Sequence, residues 1–231
     1  MILAGGLGTR LRPYTLFVPK PMLAVGPKPI LEHIVDWLKT NDVFDIVIAT
    51  GYLGRMIERY FGDGSDFGVR IEYARSEGPM GHAGQLKSAE DLLPNTFVCL
   101  YGDAILEFDL EKLVEFHERR ASLLTMALME YETKMKYGVI ETLKDGRISR
   151  WKEKPAVKSD VNVGCYVVDK RFLDYIPTGK VYGFLEAFNN AFKEGKAMYA
   201  LKVKGSFTDI GDIRAHKKAD DEFIERYGRI P

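Results

Sequence analysis

Met1-Ile-Leu-Ala-Gly-Gly-Leu-Gly-Thr-Arg-Leu-Arg-Pro13 is an apolar run that breaks into glycines and then into arginines. Met1 to Ala4 reads as a short strand. Glycines at its carboxyl end let backbone N–H groups approach an anion with no Cβ in the way. Arg10 and Arg12 add fixed positive charge suited to phosphate, and Pro19-Lys20-Pro21 supplies another cation close by. An ordinary Gly-rich turn is the bland alternative, and these cations weigh against it. The loop fits neither common phosphate motif. From Gly6 the sixth position of a dinucleotide fingerprint is Leu11, and no G-x-x-x-x-G-K-[ST] pattern occurs.

Outward from this loop, apolar periodicity predicts a helix over Pro29 to Lys39, and the β-branched run Phe44 to Thr50 predicts a strand. A helix follows over Leu53 to Phe61, then a strand over Val69 to Ala74. The next helix spans His82 to Leu93, stopped by Pro94, and leads to a strand over Thr96 to Tyr101 that ends at Gly102-Asp103. Asp109 to Arg120 is the fourth helix. This alternation predicts an α/β fold: a doubly wound, Rossmann-like, mostly parallel sheet flanked by helices. Such sheets bind ligands off the carboxyl ends of their strands. The Gly5 loop and Gly102-Asp103 both lie at such ends.

The second half changes character. Ser122 to Glu130, Gly138 to Leu143, Arg147 to Lys154 and Asn162 to Val168 read as strands, with Asp145-Gly146 as a hairpin turn. A helix over Tyr182 to Lys193, a strand over Met198 to Val203 and a helix over Asp212 to Tyr227 complete the chain. These elements predict a partly antiparallel extension of the same sheet. With no linker or repeat, residues 1–231 read as one domain. It divides into two halves, about 1–120 and about 121–231, that differ in this way.

Lys+Arg and Asp+Glu are both 33, so the net charge is zero. That balance argues against a nucleic-acid or membrane-surface partner, both of which need a basic excess. No apolar stretch reaches the roughly 20 residues of a membrane span. Cys99 and Cys165, each in an apolar run, read as buried free thiols in a reducing compartment, hence a cytoplasmic protein.

Leu3 to Thr15 followed by Pro19-Lys-Pro-Met resembles the signature of sugar-1-phosphate nucleotidyltransferases. Met80-Gly-His-Ala-Gly, Gly102-Asp103, Tyr137-Gly-Val, Glu153-Lys-Pro, Asn162-Val-Gly and Thr208-Asp-Ile-Gly follow in the family's order. The resemblance spans almost the whole chain and is to the minimal, single-domain members. It implies transfer of a nucleotidyl group from a nucleoside triphosphate to a sugar 1-phosphate, dependent on Mg²⁺, with pyrophosphate leaving. A homodimer is compatible with it.

By resemblance, Arg10 and Lys20 hold the triphosphate and stabilise the transition state, and Asp103 and Asp209 are the Mg²⁺ ligands. The backbone at Leu3, Ala4, Gly5, Gly6, Gly8 and Thr9, with Gly81, faces the nucleotide. Gly138, Glu153, Lys154 and Asn162 bind the sugar phosphate. Three departures bear on specificity. His82 stands where many relatives have Thr, Phe207 where Trp is common, and Met1 stands directly before Ile2 where relatives often carry extra residues. The tilt is toward mannose or heptose 1-phosphate with GTP. The alternatives are glucose 1-phosphate with dTTP or UTP, and a regulatory paralogue that binds sugar nucleotides without turnover. A glycosyltransferase is disfavoured because Gly102-Asp-Ala-Ile lacks an Asp-x-Asp metal motif.

Overall fold

A computed structural model describes residues 1–228 of the chain; residues 229–231 of the expected domain lie outside it. The first strand, β1 (Ile2–Leu3), runs into the glycine loop and a series of short 3-10 turns. A small hairpin of β2 (Ala24–Val25) and β3 (Lys28–Pro29) leads into α1 (Ile30–Thr40). Then come β4 (Asp45–Thr50), α2 (Gly54–Phe61), β5 (Arg70–Arg75), α3 (Gly81–Ser88) and β6 (Thr96–Tyr101). A strand not visible in the periodicity, β7 (Ala104–Phe108), precedes α4 (Leu110–Arg120).

The second half holds β8 (Leu124–Lys134), β9 (Val139–Thr142), β10 (Ile148–Lys152) and the long β11 (Ala156–Asp169). It closes with α5 (Phe184–Lys193), β12 (Met198–Lys202), β13 (Gly205–Asp209) and α6 (Ile213–Tyr227). The central sheet has seven strands in the order β12-β8-β11-β6-β1-β4-β5. Within it only β11 runs antiparallel to its neighbours.

Alternate residues on each central strand face opposite cores. Ile2, Ile48 and Leu100 join one cluster, with α1 and α4, while Leu3, Ala49 and Cys99 join the other, with α3 and α5. Burial on both faces is why these strands read as continuous apolar runs rather than as alternation. Helix α1 buries Ile30, Leu31, Ile34, Val35 and Leu38, and Trp37 Nε1 donates to the Phe108 carbonyl at 3.1 Å.

Two expectations need correction. The segments expected as sheet strands at Gly138 to Leu143 and Arg147 to Lys154 pair only with each other, as the separate ribbon β9–β10. Their outward apolar residues, such as Ile148 and Trp151, stay exposed, so nothing draws them onto the main sheet. The expected helix over His82 to Leu93 ends at Ser88 and tightens to a 3-10 turn at Glu90–Leu92, since Pro94 cannot continue it. Among the described residues no helix is long and apolar enough to cross a membrane.

Candidate active site

At the carboxyl end of β1, Gly8 takes a left-handed backbone, φ 60°, and its carbonyl accepts from Thr15 Oγ1 at 2.9 Å. The Gly5 N–H donates to Gln85 Oε1 at 2.8 Å, and Gln85 Nε2 donates to the Gly81 carbonyl at 3.3 Å. Gln85 is buried, so α3 props the glycine loop from behind. A Cβ on Gly5 would lie 2.8 Å from Gln85 Oε1, so a larger residue there would push the glutamine amide away from the loop.

Lys20 is also buried, and its Nζ sits 2.6 Å from Asp103 Oδ2. Asp103 lies two residues past the end of β6, after Gly102. The strand pair β7–β13 then delivers Asp209 to the same place: Asp209 lies opposite Ala104, and the Ile210 N–H donates to the Asp103 carbonyl at 3.2 Å. Asp209 keeps an exposed edge, yet partial withdrawal from water and then the charge of Asp103 push its carboxyl above the ordinary value. Lys20 and Arg10 pull the other way. The start of α6 is capped by Asp212, which accepts from the Ala215 N–H at 2.9 Å, so Asp209 is free of that duty.

Two adjoining clefts result. The smaller, about 200 Å³, is lined by Leu3, Ala4, Gly6, Gly8, Thr9, Arg10, Lys20 and Asp103, with Gln85 and Tyr101. The larger, about 640 Å³, runs from Arg10, Asp103 and Asp209 past Asn162 to Tyr131, Phe207 and the α6 residues Lys218 and Glu222. Asn162 Nδ2 donates to Tyr166 Oη at 2.6 Å, and Tyr166 Oη donates to Tyr101 Oη at 3.1 Å.

Of the expected nucleotide residues, Gly5 and Gly81 stand behind the smaller cleft rather than on its wall. Gly81, at φ 68°, is pressed against the backbone of Tyr182. Gly138, Glu153 and Lys154 lie outside both clefts, around the β9–β10 ribbon. There Trp151 Nε1 donates to Glu153 Oε2 at 3.2 Å, and Lys154 is exposed. The reading of the sequence missed Gln85, Tyr101 and the α6 wall. A buried glutamine bonded across 80 residues leaves no local signal.

Asp103 and Asp209 offer hard carboxylate oxygens at one place, and partial burial, then the charge of Asp103, raises the Asp209 carboxyl. Among the described residues no group of three His, Cys, Asp or Glu gathers to hold a metal. Two carboxylates with few other protein ligands fit Mg²⁺, which keeps waters and shares substrate phosphates.

Residues 1–226 match the family model described as nucleotidyl transferase. The chain belongs to the nucleotidyl transferase family. It is similar to a UTP–glucose-1-phosphate uridylyltransferase of Synechocystis, 34% identical over 92% of this chain and 60% of the relative. It is 36% identical to a mannose-1-phosphate guanyltransferase beta-B of Xenopus laevis, over 91% of this chain and again 60% of the relative. The nucleotidyl transferase chain described here thus spans about 60% of the length of these curated relatives. Among solved structures, HddC of Yersinia pseudotuberculosis superposes with a TM-score of 0.76 at 26% identity, covering 96% of this chain and 97% of that one. The same protein complexed with GMP-PN superposes equally well, at 25% identity.

Proposed function

We propose that this chain transfers a nucleotidyl group from a nucleoside triphosphate to a sugar 1-phosphate. A sugar-phosphate oxygen attacks the α-phosphorus, the bond from the α-phosphorus to the bridging oxygen breaks, and pyrophosphate leaves with the electron pair. The observation that carries this reading is the joining of two clefts over Arg10, Lys20, Asp103 and Asp209, one walled by the glycine loop and one by the second half of the chain.

The smaller cleft takes the triphosphate. Backbone N–H groups at Gly6, Gly8 and Thr9 are the donors for it, and Arg10 and Lys20 neutralise the charge that builds on the leaving pyrophosphate. Asp103 and Asp209 would hold Mg²⁺, which when bound supplies further charge neutralisation to the phosphates. Lys20 then has a second partner in the triphosphate, in place of its ion pair with Asp103. The larger cleft takes the sugar phosphate, with Asn162 on its wall. Glu153 and Lys154, supported by the Glu-Lys-Pro resemblance, act from the ribbon beside it, and Gly138 keeps room for Glu153. Residues 1–231 work as one domain whose two halves contribute one cleft each. Triphosphate chemistry and free thiols at Cys99 and Cys165 fit the cytoplasm.

GTP with mannose or heptose 1-phosphate is the pairing proposed first. The Xenopus relative's name and the GMP-PN complex of HddC support it. The Synechocystis relative keeps UTP with glucose 1-phosphate as the second reading. A grid of pyrophosphate-release assays, each triphosphate against each sugar 1-phosphate, tests both. Release in the guanosine row with mannose or heptose supports the first reading. Release confined to the uridine or thymidine rows with glucose replaces it by the second.

A further inference from the structure

The walls of the two clefts have four residues in common: Arg10, His82, Tyr101 and Asp103. The proposed function uses Arg10 and Asp103. Tyr101 is fixed from behind, since it meets Tyr166 Oη and packs against Gly164, where a Cβ would lie 2.8 Å from its ring. His82 is left. Its imidazole stacks on Tyr101 with ring centroids 4.4 Å apart and planes 25° from parallel. Stacking holds the ring plane and leaves its edge free. Among the described residues neither ring nitrogen has a hydrogen-bond partner. The residue is nonetheless exposed at the point where the two clefts meet.

We propose that His82 is a catalytic residue that donates a hydrogen bond from its ring edge to a phosphate oxygen at the junction, where the nucleotidyl group changes partners. The inference rests on the transfer reading above. An imidazole has at least one N–H in either protonation state, so this role needs no particular charge. It needs a plane and an edge. The plane comes from Tyr101, and His82 lines both clefts where they meet, the region that both substrates must share. A ring that only opened α3 or filled space would serve as well without nitrogens, and that difference can be measured.

His82→Phe keeps the stack and removes both nitrogens. His82→Gln keeps a donor and gives up the ring. With the triphosphate and sugar phosphate that give the fastest turnover, His82→Phe is expected to lower kcat about ten- to a hundredfold, the scale of one donor to a charged phosphate. Triphosphate Kd measured by calorimetry stays within about twofold, and the unfolding midpoint is unchanged, because the contact matters chiefly during transfer. His82→Gln recovers part of the loss. Wild-type kcat in His82→Phe overturns the proposal while leaving the transfer reading intact. A wild-type protein that binds triphosphate but releases no pyrophosphate in any pairing overturns the transfer reading, and this placement of His82 with it.

Discussion

Lys20 Nζ lies 2.6 Å from Asp103 Oδ2 across 83 residues of sequence, with the lysine buried and the aspartate partly open to the cleft. Each is the other's counter-ion until a ligand arrives. Removing one leaves a charge with less compensation in a poorly hydrated place.

Asp103→Asn therefore has two expected effects. Turnover falls by about two orders of magnitude, the scale for a lost electrostatic group at a reacting centre. Stability falls by about 1–3 kcal/mol, because Lys20 keeps only a neutral partner. Denaturant unfolding checks the second effect. Combined with Lys20→Met, the stability loss should be smaller than the sum of the two single losses. Additive losses would mean the pair is not coupled.

Asp209 carries the opposite sign. Its carboxyl is pushed above the ordinary 3.8, first by burial and then by the charge of Asp103. An acid whose pKa is higher when folded binds more protons in the folded state between its two pKa values. Stability then falls as pH rises through that window, and the penalty is complete above it. Asp209→Asn should raise the metal-free melting temperature at neutral pH, with a gain that shrinks as pH approaches 3.8. Added Mg²⁺ should raise the wild-type melting temperature by mass action and leave the variant nearly flat. A variant that responds to Mg²⁺ as the wild type does would remove Asp209 from the ligand set.

Gln85 supports the glycine loop, proposed to hold the triphosphate, from behind through Gly5. Gln85→Ala should raise the triphosphate KM about five- to twentyfold, consistent with losing about 1–2 kcal/mol of hydrogen bonding and loop order. The sugar-phosphate KM should change little. Equal changes in both constants would mean general loosening of the fold.

The thiols supply a check on the fold itself. Cys99 and Cys165 are fully buried and unpaired, and burial pushes Cys99 up to about 12 and raises Cys165 as well. A thiol reagent at mild alkaline pH should find neither in the native protein and both after denaturation. Fast labelling of either thiol in the native state would contradict the double-sided core.

What was legible in the sequence follows from range. The helix at Ile30–Thr40 and the strand at Asp45–Thr50 are written in local periodicity and β-branched runs, and both form within one residue of the bounds read, Pro29 to Lys39 and Phe44 to Thr50. The glycine loop could be read as phosphate chemistry because backbone access and nearby arginines are local properties. The pair β7–β13 could not. Each partner is five residues long, and they meet across about a hundred residues, so neither carries a pattern of its own. Yet that pair brings Asp209 to Asp103. Resemblance supplied the pairing of the two aspartates, and the ladder explains it. The same limit hid Gln85 and the separation of the ribbon β9–β10 from the sheet, which depends on what its exposed face fails to meet.

The central claim is direct transfer at the junction of the two clefts. A rapid-quench experiment with triphosphate labelled at the α-phosphorus, plus Mg²⁺ and the preferred sugar 1-phosphate, tests it most directly. The predicted result is label passing in one step into the sugar nucleotide, with an equal amount of pyrophosphate and none released when sugar phosphate is withheld. Label retained on the protein, or pyrophosphate released without sugar phosphate, would contradict it.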